Sequence, residues 1–366
     1  MENTMSASMN ENSRQQQHAI DEQYMRRCLQ LARNGWQNAK PNPMVGAVIV
    51  SAGQRIIGEG YHVRCGEGHA EVNAFASVRP EDEALLKEST VYVSLEPCSH
   101  WGKTPPCADL IVSKGVRRVV CGCIDPFSEV QGRGVERIRQ AGIEVTVGVL
   151  EQECLELNQK FITFNTEKRP YILLKWAQTI NGKISQRLAS TLSSGMKEHG
   201  MDESSQPPRS RMESGGGRLL LSSPFTKMLV HKLRAETDAI LVGHETMYAD
   251  HPRLNTRDWS GHDPERLVLA HDAKDVPQEF RHFDDIDTLL RYLYENHRQS
   301  LVVEGGALTL RSFLKRGLWD EIRVETAPMS VVEGTDAPDL PGDVELVETR
   351  VYDGNVIRRY KRLSKK

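Results

Sequence analysis

His69-Ala70-Glu71, followed downstream by Pro97-Cys98 and Pro106-Cys107, is the stretch from which the fold and chemistry of this chain are read. A catalytic zinc takes three protein ligands and leaves a fourth position for water, whereas a structural zinc is closed by four. His69, Cys98 and Cys107 make three. Glu71 stands two residues from the histidine, close enough to exchange a proton with water at such a metal. Neither Glu71 nor the two Pro-Cys pairs are needed for packing, so the set reads as a catalytic zinc site with one ion per chain and Glu71 as its acid–base group.

The spacing H-x-E…P-C is that of the zinc deaminases, which hydrolyse an amino group from a nucleobase. The general signature places two residues between its cysteines. Here Ser99 to Pro106 intervene, bringing His100, Lys103 and two hydroxyls to the rim, groups suited to an anionic substrate. Other cysteines read differently. Cys121 and Cys123 lie in the apolar run Arg118 to Ile124 and are expected to be buried packing. Cys65 could close a structural site with His69, but its spacing fits no common zinc motif.

The rim, together with Pro41-Asn42-Pro43-Met44-Val45-Gly46, Asp125-Pro126 and Gly132-Arg133-Gly134, resembles the riboflavin-pathway deaminases. That resemblance implies a cytidine-deaminase-like fold and a diaminopyrimidinone ribosylamine phosphate as substrate, contacted by Asn42, His100 and Lys103. The family usually has Arg where this chain has Lys103. The order of elements agrees. Apolar residues from Asp21 to Ala32 recur at helical spacing, with Asp21 as N-cap, and buried strands at 45–50, 91–95, 116–123 and 143–149 alternate with helices, an α/β/α layer pattern.

A boundary falls at 151–170, a connecting helix broken by Glu167-Lys168-Arg169-Pro170, and a new apolar strand starts at Tyr171. Downstream, Leu301-Val302-Val303-Glu304-Gly305-Gly306 leads into a helix at Ala307, a strand, a glycine turn and a helix start that could cradle an anion. Alone, such turns are common. With Lys175 to Ile184, Leu233-Arg234-Ala235 and Gly243 to Pro252, however, it resembles the riboflavin-pathway reductases. This resemblance implies a dihydrofolate-reductase-like α/β domain using NADPH. Carried over by position, Arg234, Leu254, Arg257 and Glu304 contact substrate, the two arginines at its phosphate. Ala177, Leu220, Thr246, Asp250, His271 and Gly306, Ala307, Leu308, Thr309, Leu310, Arg311 and Ser312 contact cofactor. Leu220 replaces a frequent Trp, and Ala270-His271 a common Asp-Ser, so NADPH against NADH stays open. Asp250 and Glu304 are candidates for the reductase general acid.

The expected organisation is a disordered tail at 1–18, a deaminase domain at 19–150, the connector at 151–170 and a reductase domain at 171–366. Within the last, 192–217 is Ser, Gly, Pro and charge rich and reads as a mobile insertion. The order resembles the bacterial bifunctional enzymes, for which a homo-oligomer, dimer or tetramer, is expected. The 366 residues carry 47 basic and 50 acidic side chains, a net charge of −3, which gives no global basic surface for nucleic acid. No apolar run is long enough to span a bilayer. Seven cysteines without a secretory signal point to a reduced, cytoplasmic protein. A nucleic-acid deaminase and a non-catalytic zinc-stabilised binding protein are the rival readings. The first lacks the basic, aromatic channel it needs, and the second gives Glu71 no role.

Overall fold

The computed structural model describes residues 2–101, 105–126, 131–185, 219–271 and 276–363, with side chains from residue 12 onward. The expected insertion at 192–217 and Lys103 lie outside them. The chain forms two compact units, Met1–Tyr171 with Leu289–Gln299, and Ile172–Thr288 with Ser300–Lys366.

The first unit is built on a five-stranded sheet in the order β2-β1-β3-β4-β5. Strand β1 (Gly46–Val50) runs antiparallel to β2 (Ile56–Tyr61) and β3 (Thr90–Val93), while β3, β4 (Arg118–Cys121) and β5 (Glu144–Val147) are parallel. Side chains alternate across a strand, and both faces are apolar. Ala47, Ile49, Val91, Val93, Val119 and Cys121 pack on one side against α2 (Ala70–Ala76), α3 (Cys107–Lys114) and α4 (Arg133–Gln140). Val48, Val50, Tyr92 and Val120 pack on the other against α1 (Glu2–Ala32) and α5 (Glu151–Leu157), with Cys123. This is the expected α/β/α sandwich, and Cys121 and Cys123 are buried in it.

Two features differ from the sequence reading. Helix α1 does not start at Asp21, because no Gly or Pro interrupts Glu2–Ala32, and the expected tail is its first half. Asp21 instead lies buried mid-helix, where Arg118 donates to both its oxygens at 2.8 Å and Tyr92 donates to Oδ1 at 2.9 Å. The connector is two helices, α5 and α6 (Gln159–Glu167), and belongs to the first unit. Between them Asn158 receives a hydrogen bond from Met44 N at 2.8 Å and donates one to Met44 O at 2.9 Å.

The second unit carries an eight-stranded sheet, β12-β13-β11-β6-β10-β7-β8-β9. Its strands are β6 (Tyr171–Thr179), β7 (Ala239–Gly243), β8 (Glu265–Leu269), β9 (Arg281–Phe283), β10 (Ser300–Glu304), β11 (Glu321–Ala327), β12 (Val344–Tyr352) and β13 (Asn355–Arg362). Parallel pairing joins β10 to β7, β7 to β8, β8 to β9 and β11 to β6, and β13 is antiparallel to its two neighbours. Helices α7 (Pro224–Ala235), α8 (His244–Asp250) and α10 (Ala307–Lys315) connect the strands, while α9 (Ile286–Glu295), between β9 and β10 in sequence, belongs mostly to the first unit. As read from Pro224, α7 begins with Pro at its first turn, and the Ser223 hydroxyl accepts from Thr226 N.

Candidate active sites

His69 is the N-cap of α2, with extended backbone at φ −70°, ψ 169°, and Glu71 sits in that helix's first turn. Cys98 follows the turn after β3, and Cys107 is the first residue of α3. The folding of α2 and α3 onto the same sheet face brings the three ligand atoms together. His69 Nδ1 lies 3.5 Å from Cys98 Sγ and 3.3 Å from Cys107 Sγ, and Cys107 N donates to Cys98 Sγ at 3.3 Å. Tetrahedral zinc with Zn–N of about 2.0–2.1 Å and Zn–S of about 2.3 Å requires an N···S separation near 3.5 Å. The donor set therefore fits zinc in both identity and spacing. Among the described residues it is the one cluster of His, Cys or carboxylates with this compactness.

Electrostatics agree. The Cys107 hydrogen bond drives the Cys98 thiol down to about 4, and holding that shared proton keeps Cys107 raised. The hydrogen bond to Cys98 raises His69. Glu71 is 3% exposed, and burial, then the nearby Cys98 thiolate, push its carboxyl up to about 7. A carboxyl that holds or releases a proton near neutrality suits a proton shuttle.

In the second unit, β10 ends at Glu304 and the chain turns through Gly305 (φ 108°) and Gly306 (φ 42°) into α10. A Cβ at Gly305 would lie 2.7 Å from Thr246 Cγ2, so glycine is required by both conformation and space. A Cβ at Gly243, at the end of β7, would likewise run into Thr309 Oγ1. Thr246, Gly306 and Thr309 thus gather at the carboxyl ends of β7 and β10, the position where open α/β sheets hold nucleotides.

Arg234 Nη2 donates to Glu304 Oε2 at 2.7 Å and Nη1 to Asn255 O at 3.3 Å, while Arg257 Nη1 donates to Asn255 Oδ1 at 2.8 Å. Among the described residues, Arg234 Nε and Glu304 Oε1 are buried without a hydrogen-bond partner. Burial pushes the Glu304 carboxyl up, but the charges of Lys175, Arg234 and Arg323 outweigh it and hold it low. Burial lowers Lys175 in turn.

The sequence matches the cytidine and deoxycytidylate deaminase zinc-binding region over residues 18–123 and the RibD C-terminal domain over 170–357. Riboflavin biosynthesis protein RibD of Aquifex aeolicus is 36% identical over 355 residues, covering 88% of this chain and 90% of that protein. The chain belongs to the RibD family. The Escherichia coli RibD is 33% identical, with 92% of this chain and 96% of that protein covered. A crystal structure of a diaminohydroxyphosphoribosylaminopyrimidine deaminase/5-amino-6-(5-phosphoribosylamino)uracil reductase from Thermotoga maritima superposes with a TM-score of 0.78 at 32% identity, over 94% of this chain and 99% of that one. The protein is accordingly a bifunctional deaminase and reductase of riboflavin biosynthesis with a zinc-binding deaminase half.

The remaining expected residues are less uniform. Asn42 reaches the deaminase site through His62, its Nδ2 lying 3.0 Å from His62 Nε2, and His100 is exposed on the rim. Leu254 and Leu310 are buried at 2% and 0% exposure, so both belong to the core rather than to an exposed ligand-binding surface. Consecutive helix residues point about 100° apart, which explains why 306–312 does not act as one surface. Leu308 is exposed, Ser312 bonds Leu308 O of its own helix, and Arg311 donates to Asp336 O at 3.0 Å. Ala177 is half-buried, whereas Leu220, Asp250 and His271 are exposed.

His62 and Lys175 are among the residues to which the sequence assigns no role. His62, 3% exposed, gives its Nδ1 proton to Gly68 O at 3.1 Å and packs edge-on to His69 with ring centroids 5.3 Å apart. Its signal was weak, a single histidine after β2. Lys175 lies in the apolar strand β6, and a lysine inside such a strand is itself a signal.

Proposed function

We propose that the first unit deaminates a diaminopyrimidinone ribosylamine 5′-phosphate at C2 and that the second reduces its ribosyl group to a ribityl chain with NADPH. The observation that carries this reading is the compact His69, Cys98 and Cys107 cluster beside the buried Glu71. Zinc held by these three ligands supplies the Lewis acidity that makes water nucleophilic near neutral pH. Glu71 takes the proton of the attacking water and delivers it to the departing amino nitrogen, so water adds at C2 and ammonia leaves. His62, fixed with its proton on Nδ1 by the Gly68 carbonyl, presents an acceptor at Nε2 that orients the Asn42 amide toward the pyrimidine. His100 and Lys103 bind the phosphate.

In the second unit NADPH supplies the hydride. Thr246, Asp250, Gly306 and Thr309, with Ala177, hold the cofactor at the strand ends. Arg257 and the free Nε of Arg234 anchor the substrate phosphate, and Glu304 orients the sugar. Lys175, whose ammonium is made more acidic by burial, joins Asp250 as a proton source, whereas Glu304, held ionised by its cationic neighbours, has no proton to give. Among the described residues no helix is long and apolar enough to cross a membrane, and we place the enzyme in the cytoplasm as a homo-oligomer. Incubating the purified protein with the diaminopyrimidinone phosphate should release ammonia without NADPH and oxidise NADPH only after deamination. NADPH oxidation with no ammonia release would contradict the assignment.

A further inference from the structure

Glu96 is 6% exposed and immediately precedes the Pro97-Cys98 ligand pair. It faces no cation. Its Oε1 accepts from Gly134 N at 2.8 Å and Val135 N at 3.3 Å, and its Oε2 from Gly132 N at 2.9 Å and Asp125 N at 3.2 Å. Four backbone donors on one carboxylate draw Asp125 and the start of α4 against the turn that carries Cys98. The contact is close enough to require glycine, since a Cβ at Gly134 would lie 1.9 Å from Pro97 O. Backbone bonds hold the same turn from its other sides. Glu96 N donates to Cys123 O at 3.0 Å, and Ala108 N, one residue beyond Cys107, donates to Cys98 O at 3.1 Å.

A buried carboxylate is costly unless its oxygens are satisfied. Here they are satisfied wholly by the loops around the site. An apolar residue at 96 would pack against the sheet equally well but leave those four N–H groups without acceptors. We propose that Glu96 is a positioning residue of the deaminase, setting where the Cys98 sulfur sits by clamping its turn to Asp125 and the N-terminus of α4. Both its oxygens are engaged by backbone N–H groups, so it acts through Cys98. This inference rests on the zinc assignment above.

Glu96→Gln tests it. The amide keeps the length but accepts at one atom only, so one pair of N–H groups, either Gly134 with Val135 or Gly132 with Asp125, faces an NH2 group. Residues that hold metal ligands in place typically change metal affinity by about 10–100-fold, so zinc release from the holoenzyme to a chromogenic chelator should quicken by about ten-fold or more. Glu96→Asp, which keeps both acceptors on a shorter arm, should fall between Gln and wild type. Val120→Ala, in the core on the opposite face of the sheet, serves as a destabilised control and should release zinc at the wild-type rate once compared at equal distance below its melting temperature. Release within about two-fold of wild type in the Gln variant, or equally fast release from Val120→Ala, overturns the proposal. If the Gln variant does not fold, Glu96→Asp decides by the same comparison, with NADPH oxidation of pre-deaminated substrate reporting that the chain is intact. Wild-type protein purified without zinc would overturn the zinc assignment itself, whereas zinc-loaded wild type with an unaffected variant overturns this inference alone.

Discussion

Replacing Asn158 by Ala should damage the deaminase although the residue lies outside the matched deaminase region, at the junction of α5 and α6. Asn158 is 3% exposed and clamps both backbone groups of Met44, two residues from Asn42. Each lost hydrogen bond costs about 1 kcal/mol net, and each partner left without a replacement adds about 1–3 kcal/mol if water cannot reach it. Met44 is half-buried, so about 2–4 kcal/mol is expected in total. For a unit of this size that lowers the first melting transition by roughly 5–15 °C. Release of the Pro41 to Met44 loop also loosens the Asn42 amide, and a contact worth about 1 kcal/mol raises the deaminase KM roughly five-fold. Asn158→Asp keeps an acceptor for Met44 N but turns an oxygen toward Met44 O, so it should show the same KM defect. Calorimetry and steady-state ammonia release measure both effects, with NADPH oxidation of pre-deaminated substrate as the unaffected control. A melting temperature within about 1 °C of wild type together with an unchanged KM would refute the clamp.

Arg257→Ala should raise the reductase KM for substrate by roughly ten- to hundred-fold, the cost of a lost charge-assisted contact, and a raised KM for NADPH alone would move the residue to the cofactor site. Leu310→Ala should cost about 2–5 kcal/mol as a core cavity while leaving the KM for NADPH unchanged, since its side chain is fully buried; a selective rise in that KM would place it at the cofactor. Glu304 is held below its ordinary value of 4.5, so its carboxylate contributes stability that is fully present above that value and lost as pH falls through the lower folded value. Glu304→Gln should therefore flatten the acid limb of the second unit's melting profile below pH 4.5, and an unaltered limb would contradict the buried ion pair.

The His69, Cys98 and Cys107 cluster and Glu71 beside it were legible as candidates because catalytic metal chemistry calls for particular residue types at short spacings, and because the apolar strands around them are periodic. Asp21 reads as a cap in sequence, because its partner, Arg118, is 97 residues away and only the folded sheet brings them together. Leu254 and Leu310 illustrate the opposite limit. A family position carries over a place in the chain, while burial in the folded core decides whether that residue is open to a ligand. His62, Glu96 and Asn158 were silent in the sequence because their roles consist of hydrogen bonds to backbone or amide groups, which carry no residue-type signature. The glycine turn at 305–306 was visible as a motif, but its partners Thr246 and Thr309 owe their place there to β7 lying beside β10.

The central claim is tested most directly by Glu71→Gln, measured for zinc content and ammonia release on the same sample. The amide fills the same volume without a titratable proton. The variant should hold one zinc per chain, as wild type does, and lose deamination by about 10²–10⁴-fold while oxidising NADPH normally with pre-deaminated substrate. Deamination within a few-fold of wild type, with zinc retained, would contradict the account.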